Sequence, residues 1–274
     1  APMFGLVIAF KDYDPYSGVA GIFSAPWVGL ANFRKFFDSY YFGRIMSNTL
    51  IISFLKLIFG FPPPIIFALM INEARGKYFK KTVQTISYIP HFISWVIVAA
   101  LLQTLLTTDN GLINVILNRF GMRSVNFLSN PKYYRSILII SDIWKSVGFG
   151  SIVYLAAITG VDQSQYEAAA IDGAGRFKRI WYITLPSISS VVVIMLIFRV
   201  GGLLDAGFEQ IFLTYSPSVY KVADIIDTFV YRVGLVDHDY SYSVAVSFFK
   251  SVVAALLLLT TNVISKRISG EGIW

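Results

Sequence analysis

Seven ionisable residues stand inside stretches that are otherwise apolar: Lys56, Asp142, Lys145, Arg199, Asp205, Glu209 and Lys250. A charge at the centre of a membrane-spanning helix costs at least about 2.5–3.5 kcal/mol on insertion scales, so such residues face a water-filled cavity or a partner. The chemistry open to them is proton relay by a carboxylate, or hydrogen bonding and charge pairing to a polar solute. Asp142 and Lys145 are i, i+3 neighbours and can also pair with each other along one helix face. Ser146 and Phe149 continue the Asp142 face at i+4 and i+7. On the next apolar stretch Arg199, Gly202 and Ala206 share a face, with Asp205 beside it and Glu209 and Gln210 near its far end.

Other chemistries lack their residues. Cysteine is absent, and the two histidines, His91 and His238, lie far apart in sequence, so no metal site is expected. No Ser-His-Asp set stands out. Gly76-Lys77 lacks the earlier Gly and the following Ser or Thr of a phosphate-binding loop, so this chain is not expected to hydrolyse ATP by itself. A net charge of +7 would point to nucleic acid in a soluble protein. Here the basic residues fall mostly in short connectors, where membrane proteins use them to fix orientation, and no nucleic-acid partner is expected.

Helices in a bilayer must position these charges. Of the 274 residues, 55% are hydrophobic and only 14% are charged, against roughly 25% in an average soluble domain. Mean hydropathy is +0.63. A bilayer as solvent explains both values. Five stretches are long enough to cross, at 46–71, 85–106, 137–161, 187–211 and 242–265. The apolar segment Pro2 to Phe10 is too short to span and reads as the end of a first transmembrane helix. The fold class is therefore an all-α integral membrane bundle, a single transmembrane domain over 1–274 with five complete spans and a partial N-terminal one.

Span order puts the connectors 72–82 and 162–186 and the tail 266–274 on one side. They carry nine Lys or Arg in 45 residues, whereas 11–45, 107–136 and 212–241 carry ten in 95. The denser side is expected to be cytoplasmic. The opposite loops are long and rich in turn residues and aromatics, as in Tyr13-Asp14-Pro15-Tyr16-Ser17-Gly18. They suit either a docking surface or interfacial helices with aromatic belts. Pro62-Pro63-Pro64 is expected to break the first complete span.

The connector 162–186 has its own local pattern. Ser164-Gln165-Tyr166-Glu167 fits a capping box, with Glu167 reaching back to the Ser164 N–H. Ala168, Ala169 and Ala170 favour helix, and Gly173 can take the left-handed conformation that ends one. Phe177, Ile180, Trp181 and Thr184 then form an amphipathic face, and Leu185-Pro186 is expected to stop that helix. On physics alone, Glu167 is a cap and the loop an interfacial re-entry helix.

The spacing also resembles the EAA loop of ABC importer permeases: Glu-Ala-Ala, three residues, Gly, nine residues, Ile, one residue, Leu-Pro. Glu167, Ala168, Ala169, Gly173, Ile183, Leu185 and Pro186 occupy those positions, and Asp172 and Ala174 match the longer form of carbohydrate importers. Tyr88-Ile89-Pro90-His91-Phe92-Ile93-Ser94-Trp95, Asp142-Ile143-Trp144-Lys145 and Gly207-Phe208-Glu209-Gln210 extend the resemblance to the branch that handles oligosaccharides and polysaccharide fragments, including the alginate and aldouronate systems.

The resemblance implies a type I ABC importer permease in a bacterial cytoplasmic (inner) membrane. Its partners would be a second, related permease subunit, two ATPase subunits holding ATP and Mg, and an extracytoplasmic solute-binding protein. No cofactor is expected in this chain. Glu167 to Ala174, with Leu185 and Pro186, would couple it to the ATPase. The helices flanking the loop would line the substrate cavity, making Asp142, Lys145, Ser146, Phe149, Arg199, Gly202, Asp205, Ala206 and Glu209 candidate lining residues. Phe149, Trp144 and Phe208 can offer a sugar its aromatic face, and Arg199 can pair with a uronate carboxylate. Beside this stands a second class, a secondary transporter using Asp142, Glu209 or another membrane carboxylate as proton relay.

Overall fold

The computed structural model describes residues 2–270. The last four residues of the basic tail expected on the cytoplasmic side, 271–274, lie outside the described residues. Helices dominate, and the described residues divide into two compact units: Ala1–Phe54, Trp95–Leu138 and Gly202–Leu257 form the first, and Leu55–Ser94, Ile139–Gly201 and Leu258–Trp274 the second.

Among the described residues, three helices are long and apolar enough to cross a membrane: Phe42–Glu73, Pro131–Thr159 and Tyr240–Arg267. Two bent pairs, Lys77–Phe92 with Trp95–Leu106 and Arg176–Ser187 with Ser189–Gly201, bring the number to five when each pair is one span. Within Phe42–Glu73 the Pro62-Pro63-Pro64 run interrupts the helix only at Phe61. Pro62 opens a new helix at its first position, where a missing N–H is no loss. At the N-terminus, Pro2–Phe10 winds as a 3₁₀ helix rather than as the end of an α-helical span.

Both bends have local causes, and one overturns an expectation. Lys77–Phe92 carries Pro90 in its last turn, Ile93 is extended, and the chain turns by 99°. The carbonyls released there are collected by Lys145, whose Nζ donates to Pro90 O at 3.3 Å, His91 O at 2.7 Å and Ile93 O at 2.5 Å. An ammonium at a helix C-terminus also meets the negative end of its dipole. The pairing of Asp142 with Lys145 along one helix is thereby replaced by pairing across helices.

The second bent pair corrects the expected stop at Leu185-Pro186. Arg176–Arg179 runs into a π-helical turn, Ile180–Thr184, and continues through Leu185–Ser187. Pro186 sits near the start of this last short piece, where its missing N–H is tolerated, and the 64° bend falls at Ile188. The span then ends at Gly201 instead of continuing to 211. Residues 202–207 form a turn and an extended stretch, Gly207 takes φ +90°, and a separate helix Phe208–Thr214 follows. Arg199, Gly202 and Ala206 therefore do not share one helix face.

Ile52, Tyr134, Leu138, Ala206, Ile211 and Ile225 pack one core of the first unit. Phe36, Ile45, Phe229, Tyr242 and Val246 pack the other. Ala68, Tyr154, Ile158 and Ile188 form the core of the second unit. Helix crossing there is close. A Cβ built on Gly148 would fall inside the contact distance of the Ser87 carbonyl and lie 2.9 Å from Ser87 Cβ.

Candidate functional site

The connector following Thr159 folds as a helix, a glycine break and a second helix. Gln163–Ile171 is capped by Asp162, whose carboxylate accepts from Ser164 N at 2.9 Å. That backbone N–H holds the Asp162 carboxyl below its usual range. The cap expected from Ser164 and Glu167 is thus supplied two residues earlier, because an Asx turn reaches the free amide directly. Glu167 is left exposed on the second turn.

At the other end Gly173 has φ +72°, the Ala174 amide donates to Ala169 O at 2.8 Å, and the Gly173 amide donates to Ala170 O at 3.1 Å. This paired pattern is a Schellman motif, and a residue with a Cβ is disfavoured at its left-handed position. Asp172 forms the C-cap. Tyr166 Oη and Thr184 Oγ1, 2.9 Å apart, tie the first helix to the π-turn.

Several large side chains around this break are exposed. Ile171 is 88% exposed, Phe177 89%, Tyr182 74% and Trp181 66%. The expected amphipathic face is split: Thr184 is buried and Ile180 half-buried, while Phe177 and Trp181 stand in the open. Arg176 reaches Glu73 at 3.8 Å beside a cavity of about 380 Å³ walled by Ile66, Leu69, Met70 and Phe177. Bare apolar groups in one short segment mark an interaction surface. The coupling stretch expected at Glu167 to Ala174 contains Ile171, whose bulk beside Ala168, Ala169 and Ala170 sets it apart, while Tyr182 follows Trp181 in the π-turn.

In the second unit, Asp142 pairs with Lys56 at 3.5 Å, and both side chains are largely buried. Ser146 donates back to Asp142 O of its own helix at 2.7 Å. Phe149 stacks on the His91 ring with centroids 4.0 Å apart and planes 4° apart. Arg199 is exposed on the helix Ser189–Gly201.

The first unit holds the remaining candidates. Gly202 and Asp205 are exposed in the turn after Gly201, and Asp205 Oδ1 accepts from Gly207 N at 3.2 Å. Glu209 is exposed in the first turn of Phe208–Thr214. Ala206 is fully buried among Ile52, Tyr134 and Leu138, so it belongs to the core and not to a cavity wall. Lys250 grips Asp227 at 2.6 and 2.7 Å beside a cavity of about 460 Å³. Burial pushes the Asp227 carboxyl up, and the Lys250 ammonium opposes it.

A second charged cluster of the first unit escaped the sequence reading. Asp224 is fully buried and accepts from Arg232 at 2.9 Å, Arg44 at 3.2 Å and Thr228 at 2.9 Å. Both guanidiniums line a cavity of about 570 Å³ with Tyr41, Tyr220 and Tyr242. Asp224, Thr228 and Arg232 recur every four residues, a helical spacing that was the available signal, whereas Arg44 comes from 180 positions earlier.

Paired charges within long apolar helices and an exposed connecting loop suit a membrane transport subunit. Residues 60–270 match the family described as the binding-protein-dependent transport system inner membrane component, and the chain belongs to that family. It is the permease of an ABC importer, a multi-pass inner membrane component, and not the ATPase. That replaces the secondary-transporter alternative, and Asp142, one of its proposed relays, is engaged by Lys56.

Protein LplB of Bacillus subtilis (strain 168) is 45% identical over 273 residues, 100% of this chain and 85% of that protein. The polygalacturonan/rhamnogalacturonan transport system permease protein YteP of the same organism is 46% identical over 273 residues, covering 100% of this chain and 84% of YteP. Among solved structures, a chain of the bacterial alginate ABC transporter in complex with alginate pentasaccharide-bound periplasmic protein matches with a TM-score of 0.91 and 44% identity. The match covers 99% of this chain and 90% of that one.

Proposed function

We propose that this chain is one of two related translocation subunits of an importer for oligosaccharides, acidic ones included, delivered by an extracytoplasmic solute-binding protein. The observation that carries the reading is the 44% identity at a TM-score of 0.91 with a chain of an alginate transporter, over nearly the whole length. YteP, at 46% identity, handles another acidic polysaccharide by its name. Acidic substrates need cationic groups along the path, and exposed Arg199 is our candidate partner for a uronate carboxylate. Asp142, Lys145, Ser146 and Phe149 would contribute the same wall.

The connector 162–186 is assigned to the cytoplasmic face as the coupling segment for one of two ATPase subunits. Glu167, Ala168, Ala169, Asp172, Gly173 and Ala174 form its docking helix and break, with Leu185 and Pro186 at its exit. One exposed ion pair of Glu167 contributes only about 0.2–1 kcal/mol, so it cannot carry docking alone. The bare side chains of Ile171 and Phe177 supply the larger share, since burying each contributes about 1.5–3 kcal/mol. ATP binding would drive two such segments together and switch the access of the cavity.

Co-purification with the ATPase and stimulated ATP hydrolysis test the coupling. Gly173→Pro and Ile171→Ser are expected to lose both, and Glu167→Lys to weaken them. Full association in all three removes the coupling assignment. For the substrate, Arg199→Ala is expected to reduce uptake of an acidic oligosaccharide more than a neutral one, and equal losses remove the pairing with a uronate.

A further inference from the structure

We propose that the cavity between the Asp205 turn, the helix Ile226–Tyr231 and the start of the helix Tyr240–Ser269 is a sugar-ring site. It rests on the oligosaccharide reading above, keeps Asp205 and Phe208 of the expected candidates, and adds Asp227, Tyr231, Tyr240 and Lys250, which that reading leaves out. Its wall includes Asp205, Phe208, Asp227, Tyr231, Tyr240 and Lys250, around a volume of about 460 Å³. That lies within the roughly 300–1,000 Å³ of small-molecule sites, which combine aromatic walls with a few polar groups.

The polar groups say which surroundings the cavity can have. Lys250 and Asp227 are each about a fifth exposed, at 21% and 22%, and Asp205 is open. Three ionisable groups around one opening do not face acyl chains, so the cavity opens to water or to protein. Lys250 has three N–H donors and gives two to Asp227, leaving one for a ligand acceptor. The Asp205 carboxylate can accept from ring hydroxyls. This is the polar half of a carbohydrate site.

The apolar half is a set of fixed rings. Phe208 stacks on Phe212 at 5.2 Å, and Tyr231 packs on Phe212 at 4.6 Å and on Phe208 at 5.8 Å. All three remain partly exposed, so faces are presented without freedom to collapse. Directly after Tyr231 the chain makes a π-helical turn, Arg232–Val236, a deformation found often at functional sites. Gly234 lets this turn press on the last helix, where an added Cβ would stand 2.5 Å from Ser243 Oγ. The turn thus has a packed cause, and it sets Tyr231 beside the cavity. A pyranose ring can lay its C–H face on Tyr231 and Phe208 while its hydroxyls reach Asp205 and Lys250.

The test uses the complete transporter in proteoliposomes, with its binding protein and ATP, and radiolabelled trigalacturonate and its uncharged methyl ester as probes. Tyr231→Leu keeps bulk and removes the aromatic face. It is expected to lower kcat/KM of uptake about threefold to tenfold, the range an aromatic contact accounts for. Tyr231→Phe keeps the ring and is expected to recover most of that loss. Co-purification with the other subunits checks that both variants assemble.

Uptake by Tyr231→Leu at the wild-type level overturns the proposal and leaves the oligosaccharide reading standing. Loss of assembly in Tyr231→Leu and Tyr231→Phe alike also overturns it, by making the cavity a seam with a partner. Wild-type vesicles that import no oligosaccharide overturn both.

Discussion

Gly148 and Gly150 lie two residues apart on the helix Pro131–Thr159, and the same substitution is expected to move stability in opposite directions. A Cβ at Gly148 would overlap the Ser87 carbonyl and sit 2.9 Å from Ser87 Cβ, where ordinary contacts begin at 3.4 Å. Most of that obstruction is backbone, so no rotamer change relieves it and the two helices must separate. Overpacking of this kind costs about 1–3 kcal/mol, and a backbone clash belongs at the upper end. Replacing glycine by alanine in a helix returns about 1 kcal/mol of propensity. Gly148→Ala should therefore lose about 2 kcal/mol net. At Gly150 the added Cβ meets Pro64 Cγ at 3.4 Å and Pro64 Cβ at 3.5 Å, which is ordinary contact, so Gly150→Ala keeps its gain of about 1 kcal/mol. Each kcal/mol moves the midpoint by roughly 2–4 °C in a chain of this size. Thermal unfolding in detergent, followed by circular dichroism, should place Gly148→Ala about 4–8 °C below wild type and Gly150→Ala about 2–4 °C above it. If Gly148→Ala melts at or above wild type, the two helices do not approach as closely as described and the reasoning fails.

Three further outcomes are expected. Asp224→Ala leaves Arg44 and Arg232 without their shared carboxylate; breaking a buried pair costs about 3–5 kcal/mol, and because each guanidinium is about 30% exposed and can rehydrate, the loss in chemical denaturation should be about 3 kcal/mol. Lys56→Met should destabilise by stranding Asp142, while the double change Lys56→Met with Asp142→Leu should regain most of the loss; a double variant as weak as the single one argues against the pair. Asp162 has its folded-state pKa lowered by the Ser164 amide, so its capping holds above the ordinary carboxylate range and fades only as pH falls through the lowered value. Hydrogen exchange at Ser164 should therefore stay protected at neutral pH in the wild type and be lost at every pH in Asp162→Ala.

Legibility in the sequence followed the range of the interactions. The helix–Gly–helix design of the loop was readable because Gly173 acts within five residues, through hydrogen bonds to Ala169 and Ala170. Charges at membrane depth were readable one by one, since apolar surroundings alone make them conspicuous. Their partners were not. Asp142 has a neighbour of opposite charge three residues away, and the structure gives it Lys56, 86 positions earlier, while Lys145 turns to three carbonyls. A bent helix explains the exchange. Three acceptors freed at Pro90, His91 and Ile93 claim the ammonium, and nothing in the local spacing announces a 99° turn. The end of the fourth span was misplaced for a related reason. Residues 202–211 are apolar enough to continue a helix, but the turn at 202–205 and the φ of +90° at Gly207 interrupt it.

The second unit is held unevenly, and the unevenness suits a subunit driven by a partner. Within it, Lys145 holds the carbonyls at the end of Lys77–Phe92, and the helix of Gly148 crosses closely over Ser87. The connecting loop is the reverse. A side-chain hydrogen bond, Tyr166 to Thr184, ties its first helix to the π-turn, and Ile171, Phe177, Trp181 and Tyr182 stay largely exposed. Buried apolar contact is the main source of local stability, so a segment with so little of it sits at the low end of the stability scale. Under the coupling proposed above, docking on a partner would cover Ile171 and Phe177 and add the buried apolar contact that the loop lacks. On that proposal the exposed carboxylate of Glu167 adds little by itself, and the glycine break, the bare rings and the π-turn together would make the surface that a partner grips.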